Sequence, residues 1–251
     1  MPRKEIFAGN WKMNKVSHEA VGLVKELLAG IKAVDNREVV LFPPSLYVRE
    51  LIAQCNNSPI DIGIQNMHYE KDGAFTGELS PQMVKDSGCK YILIGHSERR
   101  HVFGETNGEV NKKVIAAYEN DILPMVCVGE LLEERENNLT DEVIEKQVVS
   151  AFKDISGEQA RSAVIAYEPV WAIGTGKVAT PEIAESVHGK IRNLIARLYD
   201  EEISDVLPIL YGGSVKPDNI EGLYLLENID GVLVGGASLK SESFLNIINV
   251  K

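Results

Sequence analysis

Eight times along this chain a short, β-rich apolar run is followed by a longer amphipathic stretch, and that alternation limits the fold more than any single motif does. The apolar runs fall at residues 6–8, 39–42, 60–64, 91–94, 124–128, 163–167, 208–211 and 232–234. Apart from Asp61 in the third, these runs are apolar rather than alternating with polar residues, as expected of strands buried on both faces of a parallel sheet. Helical spacing follows: Val21, Val24, Leu28 and Ile31 make one stripe, with Gly30 as a stop signal. The clearest helix starts after Thr180, a good N-cap, with Pro181 in the first turn and Ala184, Val187, Ile191, Leu194 and Leu198 on one face. Further helices are expected over 45–54, from Pro81, over 106–119, once or twice within 131–152, over 217–225 and over 241–248. Eight strand–helix units in 251 residues fit a closed (β/α)8 barrel of eight parallel strands ringed by helices better than an open doubly wound sheet. No linker or change of composition divides the chain, so residues 1–251 are read as one domain.

Charge and cysteine usage remove several classes of function. A formal net charge of −11 argues against a nucleic-acid surface and against an anionic membrane. It leaves open a small anionic ligand, because backbone dipoles dominate inside a pocket. The N-terminal residues carry no apolar signal core, and no run approaches the ~18 apolar residues of a membrane span. Cys55, Cys89 and Cys127 are an odd number without a C-x-x-C pair, and read as reduced, buried thiols. The expected compartment is the cytoplasm.

In a barrel of this kind the active site lies at the carboxyl ends of the strands. The segment AYEPVWAIGTGK, residues 166–177, delivers Glu168 there, and Pro169 stops the strand and biases Glu168 toward an extended backbone. A carboxylate at the root of an apolar loop with a glycine tip suggests a base that a lid covers; the plainer reading is a surface connection with an incidental acid. The first strand ends in Asn10-Trp11-Lys12. Lys12 could hold a substrate anion, form a Schiff base or simply be solvated, and Asn10 could donate to an oxyanion or cap a turn. His96 ends the fourth strand beside Ser97 and Glu98. An imidazole at a helix N-terminus is expected to stay neutral, and a neutral histidine can donate to a carbonyl and shuttle a proton; a structural histidine is the other reading. His18, His68, His101 and His188 read as surface or packing residues, and no histidine pair has metal-ligand spacing.

Gly212-Gly213-Ser214 and Gly235-Gly236 follow the last two strands, where glycine lets backbone N–H groups face an anion. That location is a common phosphate site in such barrels. Gly174-Thr175-Gly176-Lys177 is not a P-loop, because Trp171 stands where the first glycine is needed and Val178 where Ser or Thr is needed. No dinucleotide fingerprint follows the first strand, so neither a cofactor nor a metal is expected.

Together GNWKMN at 9–14, IGHSERR at 94–100, AYEPVWAIGTGK at 166–177, YGGSVKP at 211–217 and GVLVGGASL at 231–239 resemble the triosephosphate isomerase family, across nearly the whole chain. The resemblance implies a single-domain TIM barrel that interconverts dihydroxyacetone phosphate and D-glyceraldehyde 3-phosphate in glycolysis and gluconeogenesis. It implies Glu168 as the base, neutral His96 as the proton shuttle, Lys12 and Asn10 as electrostatic donors and Glu98 as the partner of Lys12. It further implies that Gly174 on a closing lid, with Ser214, Gly235 and Gly236, grips the substrate phosphate. Cys127 is implied to pack near the Glu168 strand. The long polar loop over residues 65–80, which opens at Gln65 and closes at Ser80, is implied to dock into a second subunit, with Thr76 approaching the partner's site. A homodimer is therefore expected. Two other readings stay open here: a Schiff-base aldolase using Lys12, and a sugar-phosphate-binding protein without activity.

Overall fold

The computed structural model describes residues 3–173 and 179–251. Eight parallel strands close into a barrel in sequence order: β1 Glu5–Asn10, β2 Arg37–Phe42, β3 Ile60–Ile64, β4 Tyr91–Ile94, β5 Leu123–Val128, β6 Val164–Tyr167, β7 Ile209–Tyr211 and β8 Gly231–Val234. Closure is made by β8 against β1, with Gly9 opposite Val234 on one side and Leu41 on the other. Every strand expected from an apolar run is present. Ala163 stays outside β6 because its N–H closes a turn on the Ala160 carbonyl, 3.1 Å away.

Outside the barrel lie α1 Ser17–Gly30, α2 Val48–Gln54, α3 Pro81–Ser87, α4 Ser97–His101, α5 Asn107–Glu119, α6 Leu132–Glu136, α7 Thr140–Ala151, α8 Gly157–Ala160, α9 Pro181–Leu198, α10 Glu201–Val206, α11 Ile220–Tyr224 and α12 Ser241–Ile248. Thr180 caps α9 as its sequence predicts, accepting from the Ile183 N–H. The stretch 45–54 divides into a 3-10 turn and α2. The helix expected to begin at residue 217 starts only at Ile220. Asn219 is the reason: its Oδ1 accepts from the Lys216 N–H at 2.8 Å, and its Nδ2 donates to the Ser214 carbonyl at 3.0 Å, so the chain makes a turn first. The short helices α8 and α10 have no apolar stripe long enough to announce themselves in the sequence.

Two cores result. Inside the barrel Ile6, Ala8, Phe42, Leu93, Met125, Ala166 and Leu233 fill the space between strands. A larger layer between strands and helices includes Phe7, Leu41, Ile92, Ile165 and Phe244. Burial on both faces explains why the strands are so largely apolar. Cys55, Cys89 and Cys127 are free and buried, and burial pushes the Cys127 thiol well above its usual range. Cys127 pairs with Ala166, two residues before Glu168. No described helix is long and apolar enough to cross a membrane.

Candidate active site

A cavity of about 340 Å³ opens at the carboxyl end of the barrel, lined among others by Asn10, Lys12, His96, Glu168, Ser214, Gly235 and Gly236. The barrel thus gathers residues from distant parts of the chain at one end of five strands. Gly174 lies outside the described residues. Gly212, Gly213, Ile173, Val215, Lys216, Leu233 and Ala237 complete the lining.

Glu168 is fixed as its proline suggests. Its N–H donates to the Val128 carbonyl at 2.7 Å, and the chain then leaves the sheet at Pro169. Strand β5 can approach so closely only because Gly129 has no side chain; a Cβ there would sit 1.7 Å from the Glu168 carbonyl oxygen. The Glu168 residue is 2 % exposed. Its Oε2 accepts from the Ser97 N–H at 2.8 Å, and its Oε1 lies 3.0 Å from His96 Nε2. Burial alone would raise its pKa, but the adjoining imidazole and the Ser97 N–H bring it below the usual carboxylate value.

His96 caps α4 through Nδ1, which accepts from the Glu98 N–H at 3.2 Å. That bond assigns the ring proton to Nε2, on the side facing Glu168. The sequence predicts a neutral ring, and the structure opposes two causes. Burial favours neutrality, whereas the Glu168 charge and hydrogen bond favour protonation and carry the pKa upward. The resting Glu168 thus draws the ring toward its charged form without fixing it there, since Nδ1 still accepts from the Glu98 N–H. Once the carboxylate moves away, burial and the Glu98 N–H favour the neutral Nε2–H form.

Lys12 has φ 52°, a left-handed backbone that a non-glycine residue adopts at a cost of about 1 kcal/mol. Two side chains hold it: Asn10 Oδ1 accepts from its N–H at 3.0 Å, and Gln65 Nε2 donates to its carbonyl at 2.9 Å. The strain aims the lysine back over the site, where Nζ bonds Glu98 Oε1 at 2.7 Å. A Cβ placed on Gly235 would lie 4.0 Å from the same Nζ, so the ammonium sits beside the glycine turn after β8. With Oδ1 occupied, Asn10 has its amide NH2 left to donate.

The end of the cavity beside Gly235 and Gly236 is lined by backbone. Gly236 opens a 3-10 turn ending at Leu239, and the first N–H groups of such a turn have no partner within it. Gly236 faces open space. Sequence reasoning misses the supports. Gln65 reads only as the start of a loop, and the Ser97 amide carries no side-chain signal. Glu130 is fully buried; it accepts from the Tyr167 hydroxyl at 3.1 Å and from Trp171 Nε1 at 2.8 Å, and meets Arg135 at 3.2 Å, fixing the segment after Glu168. No group of three or more His, Cys, Asp or Glu among the described residues is arranged to hold a metal ion.

A family model described as triosephosphate isomerase matches residues 5–251. The chain is 52 % identical over 246 residues to the triosephosphate isomerase of Endomicrobium trichonymphae, covering 98 % of each chain. It is 50 % identical over 247 residues to that of Clostridium botulinum (strain ATCC 19397 / Type A), covering 98 % of this chain and 99 % of the relative. With that of Herpetosiphon aurantiacus it shares 46 % identity over 249 residues, covering 99 % of this chain and all of the relative. With the match running almost end to end, the chain belongs to the triosephosphate isomerase family.

Proposed function

We propose that the cavity interconverts dihydroxyacetone phosphate and D-glyceraldehyde 3-phosphate through an enediolate, without metal or cofactor, and that the enzyme works in the cytoplasm. The observation that carries this reading is the meeting of a buried carboxylate, an imidazole, an ammonium and glycine turns on one cavity. Glu168 leaves the Ser97 amide, turns toward the substrate, removes the C1 proton and returns it at C2. His96, relieved of the carboxylate, donates from Nε2 to the carbonyl oxygens and moves protons between them. Lys12 and the Asn10 amide stabilise the developing oxyanion, a contribution that is commonly the largest in such sites. A positioned base adds roughly 10²–10⁴-fold. Glu98 orients Lys12. Ser214, Gly235 and Gly236 hold the phosphate with Gly174, and phosphate binding assists closure of the segment 170–177, so that water is excluded from the enediolate.

An ammonium bonded to a carboxylate at 2.7 Å suits this electrostatic role better than a Schiff-base nucleophile. A coupled assay with purified protein and glyceraldehyde 3-phosphate tests the reading; absence of dihydroxyacetone phosphate would defeat it. Borohydride trapping of a lysine adduct would favour an aldolase instead.

A homodimer through the loop 65–80 belongs to the same proposal. His68 stacks on Tyr69 and Phe75 there, next to the exposed Thr76. Apolar side chains on other segments stand in solvent: Met13 is 96 % and Leu46 87 % exposed, with Met83, Val102 and Phe103 also exposed. These residues follow β1 and β2, lie within α3 and follow α4 around one side of the barrel, which supports a self-complementary interface. A fully active monomer at all concentrations by sedimentation would contradict it.

A further inference from the structure

We propose that Lys216 is a substrate-capture cation, which draws the phosphorylated substrate into the cavity and is exchanged for the backbone amides once the phosphate has docked; the idea rests on the phosphate end of the site read above. The chain carries a net charge of −11, so a doubly charged substrate meets repulsion at long range. Inside the cavity the fixed charges are already matched. Lys12 is bonded to Glu98 at 2.7 Å, and Glu168 rests on His96 at 3.0 Å. Lys216 lines the same cavity, is exposed, and has no described carboxylate within ion-pair distance. It is therefore a lining cation whose charge is open to an incoming anion.

The backbone beneath it is built. The Lys216 N–H donates to Asn219 Oδ1 at 2.8 Å, and its carbonyl accepts from the N–H groups of Asn219 and Ile220, both at 3.2 Å. Asn219 Nδ2 closes the turn on the Ser214 carbonyl at 3.0 Å. Lys216 is thus held two residues from Ser214 while its side chain stays free to sweep the rim. A flexible, strongly hydrated ammonium suits capture and release, where an arginine fork would favour a lasting bidentate grip. Its expected effect is on encounter and on KM, with little on the chemical step.

The test compares wild type with Lys216→Gln, Lys216→Arg and, as a control for net charge, Lys153→Gln on an exposed remote loop. Steady-state kinetics with glyceraldehyde 3-phosphate are run from roughly 0.01 to 0.3 M ionic strength, over which screening becomes severe. Lys216→Gln should lose about 3–10-fold in kcat/KM at the lowest salt, almost all through KM, with the gap closing below about twofold at the highest. Lys216→Arg should restore most of the loss and Lys153→Gln should follow wild type. Competition by inorganic phosphate should weaken in Lys216→Gln at low salt. Parallel salt profiles for wild type and Lys216→Gln, or a loss confined to kcat at every salt concentration, would overturn the proposal. An inactive wild type would instead overturn the isomerase reading, so the two failures are separable.

Discussion

Glu168 and His96 lie against each other at the carboxyl ends of β6 and β4, 3.0 Å from carboxylate Oε1 to ring Nε2, and both are buried. The contact couples their titrations. The Glu168 pKa is lowered in the folded protein, so its stabilisation is present above the ordinary 4.5 and lost as the pH falls through the lowered value. The His96 pKa is raised, so its share is present below the ordinary 6.5 and lost as the pH rises through the raised value. The pair is therefore complete between these limits. Glu168→Gln should cost most there, on the order of 2 kcal/mol, and less on either side. Urea unfolding across pH measures this, and a pH-independent difference would show the two groups to be uncoupled.

The same substitution separates binding from chemistry. A glutamine side chain would keep an acceptor for the Ser97 amide but cannot take a proton. Turnover should fall by roughly 10²–10⁴-fold while affinity for a phosphate-bearing inhibitor changes little. Near-normal turnover would remove Glu168 as the base.

Gly212 leaves room beside the Glu168 side chain. A Cβ at that position would stand 2.9 Å from Glu168 Cγ and 3.1 Å from the Tyr167 carbonyl oxygen. Gly212→Ala should depress kcat by roughly tenfold or more, since small misplacements at a reacting centre are costly, and should leave the far-ultraviolet circular dichroism of the barrel unchanged. Wild-type kcat would mean that Glu168 does not need this space.

Glu130 is the anchor beneath the segment that follows Glu168. Glu130→Ala takes the acceptor from the Tyr167 hydroxyl and leaves the Arg135 charge without its partner. A loss of about 3 kcal/mol is expected in chemical denaturation, with a change in Trp171 fluorescence from the lost indole hydrogen bond. A stability change under about 0.5 kcal/mol would assign the network no structural weight.

At the opposite end of the barrel Lys90 bonds both Glu38, at 2.6 Å, and Asp61, at 2.7 Å, while Lys4 meets Glu38 at 2.5 Å. Burial and the neighbouring Glu38 push Asp61 up to about 6. A raised carboxylate pKa costs stability above 6 and nothing below its ordinary 3.8. Because the Asp61 side chain is about a third exposed, Asp61→Asn should raise Tm by only about 2–4 °C at neutral pH. The gain should vanish near pH 4, close to that ordinary value. An equal shift at both pH values would rule out charge as its cause.

The candidate catalytic set is legible because its members stand at strand ends in a barrel whose strand order follows the sequence. Pro169 marks Glu168, the end of the first apolar run marks Asn10 and Lys12, and the end of the fourth marks His96. Supports are harder to read. Gln65 holds the strained Lys12 from another strand's loop, and the Ser97 amide holds the Glu168 carboxylate without using a side chain. Lys216 stands in the YGGSVKP motif, yet only the cavity shows it on one lining with Lys12 and Gly235.

By itself the sequence determined the repeated strand–helix units of a parallel sheet, since strands buried on both faces must be largely apolar and each must return through a helix. It also determined which chemical groups stand at the strand ends. Tertiary structure alone decided how those groups use one another: the Glu168–His96 contact, the Lys12–Glu98 pair and the left-handed Lys12 backbone. The Lys12–Glu98 pair joins residues 86 positions apart. Local propensity carries no such information, because burial and neighbouring charge arise only when the barrel closes.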